Sequence, residues 1–311
     1  MFFPIKGVGP CSESFVQMSM SRFKFLRMLN LSDSSLEALP SSIGALKHLR
    51  YSDLYRNMQL KKLPESICRL QSLQTLRLED CTQLEEIPQG IGNLTNLRFL
   101  EITTKQTLLL RNINQTETFL TSLRFLSFFK CDNLEHLFED MHHFTSLRTL
   151  VIASCASLYT LPQTLQHLTT LETLVIGDCE NLELTDEEQD DDQDSKLRLR
   201  TLLIGELQEL LALPKWLHGS ASTLQYLYVD DCPNFMALPE WVQDFTSLEK
   251  IEMLRCPKLS YLPEGLSHLT CLRKLTIGHC PRLIDRCKMV VGEDWPKIAH
   301  VNEIYLDGFK L

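Results

Sequence analysis

The sequence predicts an α/β solenoid, in which short parallel strands stack into one concave sheet and short helical or 3₁₀ segments return along the convex side. Leucine contributes 59 of the 311 residues, far above the share that one residue type holds in an ordinary domain. A Leu-x-x-Leu-x-Leu segment recurs about every 24 residues, and prolines follow it at a fixed offset. Because each unit can bury its leucines only against its neighbours, the chain is expected to form a stack.

The leucine segments share one register along the chain. The clear ones begin at Leu26, Leu73, Leu97, Leu123, Leu147, Leu171, Leu199, Leu224, Leu248 and Leu272, and a weaker one begins at Leu49. A period of about 24 residues lies within the range of leucine-rich repeats. The predicted fold class is therefore an α/β leucine-rich-repeat solenoid (horseshoe).

Each unit predicts a strand, a turn and a short return. Residues 73–79 alternate around Leu76 and Leu78, as a half-buried strand does. Proline has a fixed φ and no N–H, which suits the first turn of a short helix or 3₁₀ segment. Leu-Pro or Ile-Pro recurs in seven units, with the proline at Pro40, Pro64, Pro88, Pro162, Pro214, Pro239 and Pro263.

We expect a single domain over residues 1–311. Residues 1–25 predict a partial N-terminal repeat with Phe2, Phe3 and Ile5 in a strand. About eleven repeats follow from 26 to 295, and residues 296–311 predict a C-terminal strand and cap. An acidic insert at 185–195 lengthens one unit, and insertions in solenoids fall in loops on one face.

The net charge of −9 is concentrated at that insert, since residues 180–194 contain nine acidic side chains and no basic one. Its carboxylates could bind Ca²⁺, but the run lacks a glycine-containing loop with alternating ligands, so a solvated loop is favoured. The rest of the chain is balanced, which argues against a nucleic-acid partner.

Composition also bears on the compartment. No apolar run approaches 18 residues, so no membrane span is expected. The N-terminus has no charged leader followed by an apolar run, and the cysteine count is odd. These features favour a reduced, cytoplasmic protein. The sequons at Asn30, Asn93 and Asn114 would matter only in a secreted protein.

Seven cysteines occupy one place in the repeat, three residues after the last apolar strand residue. They are Cys81, Cys131, Cys155, Cys179, Cys232, Cys256 and Cys280. A free cysteine behaves as a small hydrophobe with a weak donor, which suits a buried turn. A metal site is disfavoured because ligands spread one per repeat cannot converge tetrahedrally. We therefore expect a structural cysteine ladder, with no metal and no cofactor.

Catalysis has little support in the sequence. The histidines fall in returns or loops of different repeats, and no Ser, Cys or carboxylate accompanies them in a triad pattern. A His-Glu-x-x-His motif and a glycine-rich phosphate loop are both absent from the sequence. The chain is not expected to be an enzyme.

The residues on either side of the second strand leucine are expected to point away from the core. Many are aromatic or charged, and aromatic residues are enriched where protein partners bind. The alternative is that these aromatics pair across neighbouring strands and stabilise the sheet. The predicted partner-binding residues on this concave face are Tyr51, Asp53, Tyr55, Arg77, Phe99, Glu101, Phe125, Phe129, Tyr226, Tyr228, Asp230 and Lys250.

An arginine recurs directly after the first leucine of the strand segment. It occurs at Arg27, Arg50, Arg98, Arg124, Arg148, Arg200 and Arg273. Such a row could bind anions, but repetition at one structural position favours a shared scaffold role.

Two stretches carry a more specific resemblance. Residues 248–269 follow the pattern Leu-x-x-Ile-x-Met-x-x-Cys-Pro-x-Leu-x-x-Leu-Pro-x-x-Leu-x-x-Leu, and the tail joins Cys280-Pro281 to Gly292-Glu293-Asp294-Trp295-Pro296. Together they resemble the C-terminal repeats of plant nucleotide-binding leucine-rich-repeat disease-resistance proteins of the coiled-coil class. The resemblance covers most of residues 22–311. It implies a cytosolic plant immune receptor whose repeats recognise a pathogen effector or a modified host protein.

In that family the repeats also restrain an ATP/ADP-binding switch domain. The phosphate-binding loop of that domain, Gly-x-x-x-x-Gly-Lys-Ser/Thr, does not occur in this sequence. The sequence therefore predicts a repeat-only fragment or a degenerate receptor that binds no nucleotide itself. Its expected partners are an effector, a host protein, or the nucleotide-binding domain of the same or a related receptor. The alternatives are a repeat adaptor, such as a ubiquitin-ligase substrate receptor, and an extracellular receptor ectodomain.

Overall fold

The computed structural model describes residues 13–108, 120–138, 140–184 and 195–311. The chain separates into two compact units. The first comprises Met1–Leu158 with Pro162–Thr164, and the second comprises Tyr159–Leu161 with Leu165–Leu311. The acidic run 185–194 and the strand expected around Phe2, Phe3 and Ile5 lie outside the described residues.

The first unit contains one helix and six strands in its described part. They are α1 (Glu13–Arg22), β1 (Met28–Asn30), β2 (Tyr51–Asp53), β3 (Thr75–Leu78), β4 (Phe99–Ile102), β5 (Phe125–Phe129) and β6 (Thr149–Ala153). Each strand pairs in parallel with the next one along the chain. The central leucines stay aligned, since Leu76 pairs with Leu100 and Leu100 with Leu126. The repeat period read from the sequence thus sets the strand register.

The second unit continues the same pattern and ends with a hairpin. Its strands are β7 (Thr173–Gly177), β8 (Thr201–Gly205), β9 (Tyr226–Asp230), β10 (Lys250–Leu254), β11 (Lys274–Gly278), β12 (Glu303–Leu306) and β13 (Phe309–Lys310), and its helices are α2 (Pro281–Arg286) and α3 (Trp295–Ile298). Strands β7 to β12 pair in parallel, whereas β13 pairs antiparallel to β12. Asp307 and Gly308 both have positive φ, as tight hairpin turns require.

Short 3₁₀ helices form the returns, which confirms the predicted α/β repeat solenoid. They are Ser41–Ala45, Glu65–Arg69, Gln89–Asn93, Met141–His143, Gln163–His167, Lys215–Ser220, Glu240–Asp244 and Glu264–His268. Proline stands directly before seven of them, and in six it is the N-cap residue with φ between −53° and −71°. The proline carbonyl accepts the first hydrogen bond of the return, as Pro88 does from Ile91.

Helix α1 lies where the sequence predicts part of a repeat. Its Val16 and Met20 are buried, and the helix packs against the 3₁₀ helix Ser41–Ala45. A helix at this place covers apolar surface of the first repeat that no preceding strand of the described residues covers.

A left-handed turn follows most strands. The residue before each ladder cysteine has a positive φ, for example 58° at Asp80, 51° at Lys130 and 49° at Arg255. The next residue turns inward and is the cysteine. All seven ladder cysteines are buried and free.

The thiols satisfy backbone carbonyls of two repeats. The Sγ atom of Cys131 donates to Phe129 O at 3.8 Å and to Ile102 O of the preceding repeat at 3.6 Å. Burial raises the pKa of the Cys81 thiol to about 12, so it stays protonated and can donate. The structural role predicted for the cysteines is therefore the one that the contacts show.

Asn57 occupies the ladder position in one repeat, a role that the sequence reasoning missed. Its Nδ2 donates to Leu31 O and Leu54 O, both at 2.8 Å, and its Oδ1 accepts from the amide of Leu36 at 3.2 Å. The residue is 0% exposed. One amide thus links two repeats through three hydrogen bonds.

The recurring arginines act through their backbone. The carbonyl of Arg50 accepts hydrogen bonds from the amides of Gln74 and Thr75, and the carbonyl of Arg98 accepts from the amides of Arg124 and Phe125. The side chains of Arg50 and Arg98 are exposed. The scaffold role expected of this position belongs to the main chain, so no anion-binding strip is needed to explain it.

A buried carboxylate anchors the C-terminal segment. Asp294 is 0% exposed, and its oxygens accept from Arg286 Nε at 3.0 Å, from Lys297 Nζ at 2.9 Å and from the amide of Leu262 at 3.0 Å. Burial alone would raise the pKa of Asp294, but these partners outweigh burial and hold the pKa below its ordinary value. The segment before β12 is thereby tied to the return at Leu262.

The variant Asn57→Ala tests the ladder. It leaves the carbonyl of Leu31 and the amide of Leu36 buried without partners and removes one of the hydrogen bonds to the carbonyl of Leu54, so we expect a loss of about 3 kcal/mol in unfolding free energy. Urea denaturation measures that loss, and amide hydrogen exchange at Leu36 should accelerate. Asn133→Ala, which removes a single exposed contact to Lys105, should change the unfolding free energy by less than about 0.5 kcal/mol. Equal effects of both variants would contradict this role for Asn57.

The variant Asp294→Asn tests the C-terminal anchor through pH. A carboxyl group whose folded pKa is lowered contributes stability above its unfolded pKa, about 3.9, and loses it as the pH falls through the folded value. We expect the variant to be about 3 kcal/mol less stable than wild type at pH 7. The difference should shrink as the pH falls from 5 towards 2. A stability difference that is independent of pH, measured by urea denaturation across this range, would contradict the claim that the charge of Asp294 stabilises the C-terminal segment.

Candidate functional site

The outward side chains of the strands form the candidate site, which we call the strand face. In β6, β7, β8 and β10 the first, third and fifth residues are partly exposed and the second and fourth are buried. This alternation follows from the pleat of a strand. The residues predicted to bind a partner are at these outward positions, except Tyr55, which follows the end of β2.

In the first unit, Arg77 connects three carboxylates. Its Nε lies 2.5 Å from Glu101, its Nη1 lies 3.5 Å from Asp53, and its Nη2 lies 3.8 Å from Glu79. Asp53, Arg77 and Glu101 occupy paired positions of β2, β3 and β4. Tyr51 extends the network by donating to Asp53 at 3.1 Å.

The electrostatics of this network leave a negative surplus. Burial lowers the pKa of Arg77, but Glu101 and Asp53 more than offset it, so the guanidinium is always charged. The pKa of Glu79 is raised because the group is partly buried and because the charge of Glu101 is close. Three carboxylates therefore share one guanidinium.

Aromatic rings flank the charged network. Phe99 and Phe125, which are paired positions of β4 and β5, stack with centroids 4.2 Å apart and planes 7° from parallel. Arg77 lies over the ring of Tyr55 at 5.5 Å, and Lys130 lies over the ring of Phe129 at 4.8 Å. The contacts match the cross-strand pairing proposed as the alternative reading, and the rings also stay partly exposed.

In the second unit, Tyr226 and Glu252 form a similar cross-strand contact. The Tyr226 hydroxyl donates to Glu252, which also pairs with Lys250 Nζ at 3.0 Å and accepts from Thr276 Oγ1 at 3.5 Å. The ammonium of Lys250 also lies 4.3 Å from the centre of the Tyr226 ring. The pKa of Tyr226 is raised, first by burial and then by the hydrogen bond to Glu252.

Asp230 lies beside this group. Its Oδ2 accepts hydrogen bonds from the Tyr228 hydroxyl at 2.6 Å and from Arg255. Burial, followed by the interaction with Asp230, raises the pKa of Tyr228 to about 12. Although Asp230 points to the strand face, it is 8% exposed.

The structure distributes the predicted binding residues over both units. Tyr51, Asp53, Tyr55, Arg77, Phe99, Glu101, Phe125 and Phe129 are in the first unit, and Tyr226, Tyr228, Asp230 and Lys250 are in the second. Sequence reasoning left Lys130, Arg255 and Tyr305 out of the binding set. Lys130 and Arg255 lie in the left-handed turns after the strands, where side chains do not alternate as they do along a strand. Tyr305 lies in β12, which lacks the leucine motif, and Lys274 covers its ring at 5.1 Å.

The described residues contain no group of three or more His, Cys, Asp or Glu side chains that could hold a metal ion. Within the same part of the chain, no helix is long and apolar enough to cross a membrane.

The variant Arg77→Ala tests the first network. It leaves Asp53 and Glu101 without their cation, and we expect a loss of about 2 kcal/mol, between the values of exposed and buried pairs. The pKa of Glu79 should rise further, which carbon-detected NMR titration of the glutamate side chains would show. Lys61→Ala, which removes an exposed pair with Glu37, is the control and should leave the Glu79 titration nearly unchanged. An unshifted Glu79 in Arg77→Ala would contradict the sharing of one cation.

A stretch of 55 residues, 18% of the chain, is 44% identical to the disease resistance protein RGA1 of Solanum bulbocastanum, and it spans 6% of that protein's length. The chain also resembles the leucine-rich repeat domain of the type III effector XopL, with a TM-score of 0.57, 21% identity and coverage of 85% of this chain and 81% of that one.

The structure of the Drosophila Toll–Spätzle complex matches with a TM-score of 0.52, 15% identity and coverage of 93% of this chain and 44% of that one. At these identities the structural matches show the fold alone. The model of the family described as leucine-rich repeat region matches residues 8–230, more than half of the chain. The chain therefore belongs to the leucine-rich-repeat family.

Proposed function

We propose that the chain is a protein-recognition module of plant defence, similar to the repeat domain of an intracellular immune receptor. Its strand face binds a pathogen effector or a host protein. One observation carries this proposal: partly exposed aromatic side chains of the face are held in fixed positions by neighbours, as Lys250 and Glu252 hold Tyr226. Aromatic anchors with little freedom left to lose are what protein interfaces use.

The core does not require these side chains to be aromatic. The equivalent outward positions of β7 and β8 are occupied by Thr173, Val175, Thr201 and Leu203, and the strands form equally well there. The tyrosine and phenylalanine side chains of the strand face are therefore not required to form the scaffold. Their partly exposed rings provide apolar area next to charged groups, which favours a protein partner over a small polar molecule.

The plant role is supported by the local identity to a disease resistance protein and by the cysteine and Leu-Pro pattern. All cysteines in the described residues are free, which suits a reducing compartment such as the cytoplasm. By the same resemblance, a second partner is the nucleotide-binding domain of the same or a related receptor, which the repeats restrain.

A labelling experiment in leaf cells tests the proposal. The chain is fused to a biotin ligase and compared with a face variant, Tyr226→Ala with Lys250→Ala, and with a return variant, Met236→Ala with Tyr261→Ala. Met236 and Tyr261 are more exposed than Tyr226 and Lys250, at 50% and 46%, and lie outside the strands, just before the 3₁₀ returns Glu240–Asp244 and Glu264–His268. We expect a specific protein to be labelled by wild type and by the return variant and at least about tenfold less by the face variant.

Circular dichroism and thermal melts would show whether both variants fold. Binding of the purified labelled protein should then repeat the order seen in cells. If the face variant keeps all partners while the return variant loses them, the strand face is not the recognition surface and the proposal fails.

A further inference from the structure

The strand face of the first unit contains a stack of two aromatic rings that is open at one end. Phe99 and Phe125 are nearly parallel, with centroids 4.2 Å apart, and they occupy paired positions of β4 and β5. Because the stack runs across the strands, the other face of the Phe125 ring is directed towards β6, where the paired residue is Thr149. A threonine side chain is too short to cover a phenyl ring, and both residues are partly exposed.

The surface beside this open ring is mostly apolar. The outward residues of β6 are Thr149, Val151 and Ala153, which are short and partly exposed. Cross-strand stacking explains the contact of Phe125 with Phe99, because such pairs stabilise a sheet. It does not explain why the opposite face of the Phe125 ring borders a row of short side chains. A partner that packs on this row would remove the ring face from water.

An aromatic side chain of a protein partner fits this place. A third ring displaced by one more strand spacing, about 4.8 Å, would lie over Thr149 and continue the stack. Aromatic pairs favour centroid separations of this size, and the flat ring face of Phe125 matches another flat group. The methyl groups of Val151 and Ala153 would then border the edge of the incoming ring.

Charge complementarity selects the rest of the partner segment. The carboxylates of Asp53, Glu79 and Glu101 share the guanidinium of Arg77. Glu79 is the most accessible of the three, since its side chain is 27% exposed and lies 3.8 Å from Arg77. Burial and the charge of Glu101 raise the pKa of Glu79 in spite of that cation. This part of the face therefore repels acidic groups and phosphates, and a lysine or arginine gains a partner there.

One short segment can reach both features. Thr149 and Glu79 are three strands apart, about 14 Å, and four residues apart along the strand direction, about 13 Å. The diagonal between them is about 19 Å, and an extended chain covers about 3.3 Å per residue. Because the side chains of lysine and arginine are long, a basic residue four to six positions from the aromatic one reaches Glu79.

We propose that an aromatic side chain of the partner protein stacks on the open face of Phe125 over Thr149, and that a lysine or arginine four to six residues away pairs with Glu79. This inference rests on the proposed function, because it names the chemistry of the segment that the strand face recognises. The stacked ring contributes most of the affinity, and the exposed ion pair adds a smaller share and the preference for a basic segment.

Methyl NMR of the full chain, labelled at valine and alanine, measures binding of the peptide Gly-Trp-Gly-Ser-Gly-Arg-Gly-Arg. Two reference peptides replace the tryptophan by alanine or both arginines by glutamate. We expect the Val151 and Ala153 signals to shift, because the indole ring lies beside them, and the signal of Val291, which is 79% exposed and far along the chain, to stay in place. Each reference peptide should bind at least about threefold more weakly, and salt should weaken the complex.

Two variants locate the binding. Phe125→Thr introduces the residue that β6 has at the paired position and should weaken binding about tenfold, whereas Glu79→Gln removes the accessible charge and should weaken it about threefold. The matched controls are Phe25→Thr, an 81% exposed ring outside the strands, and Glu37→Gln, an exposed carboxylate. Both should leave the affinity nearly unchanged. Thermal melts check folding, and Glu79→Gln, which relieves crowding of negative charge, keeps the test decisive if Phe125→Thr does not fold.

Unshifted Val151 and Ala153 signals in wild type would overturn the inference. So would an unchanged affinity in Phe125→Thr or Glu79→Gln, or an equal loss in Glu37→Gln, which would indicate attraction to the net negative charge alone. A wild-type dimer in sedimentation velocity that Phe125→Thr converts to a monomer would also overturn it, because a second copy of this chain would then cover the ring.

These outcomes are separate from those of the labelling experiment, whose variant changes the second unit. A partner lost by the Tyr226 and Lys250 variant, together with no binding of the tryptophan and arginine peptide, would leave the proposed function standing and remove the stacking site on Phe125.

Discussion

The repeat depends on satisfying the carbonyl groups that each turn buries between neighbouring strands. A residue with positive φ turns the chain after the strand, and the following side chain points inward, where Cys131 and Asn57 each donate to carbonyls of two repeats. A thiol or an amide can make such bonds, whereas Leu207, which is buried at the same place after β8, contributes apolar burial only. These bonds join neighbouring repeats beside the parallel strand pairs, whose register aligns the outward side chains.

The strand face follows from that alignment. Because Asp53, Arg77 and Glu101 occupy one register position in three consecutive strands, their side chains lie within ion-pair distance although about 24 residues separate each from the next. The same alignment stacks Phe99 on Phe125. A repeat that varies its outward residues while keeping its inward ones can therefore build a surface of any chemistry without a change of scaffold.

The fold could be predicted from the sequence because its signal is repeated, so that no single residue decides it. The outward residues could be predicted too, since the alternation of side chains between the two sides of a strand depends only on neighbouring residues. What a residue contacts could not be predicted, because Arg77 has three carboxylates within reach and rotamers decide among them. Asn57 was missed because its repeat has Ser52 in place of the central leucine, and Arg255 because a turn residue has no fixed side-chain direction in the pattern.

The net charge of the sequence does not describe how charged side chains are distributed over the surface. Outside residues 180–194 the chain is balanced, which predicts a neutral scaffold. Register nevertheless places Asp178, Glu206 and Asp231 on three successive turns of the second unit. A chain that is neutral in sum outside that run therefore still carries a local excess of negative charge at these turns, within about a Debye length of each neighbouring turn. The charge pattern of the strand face is therefore set by which residues the repeat aligns, and the net charge does not report it.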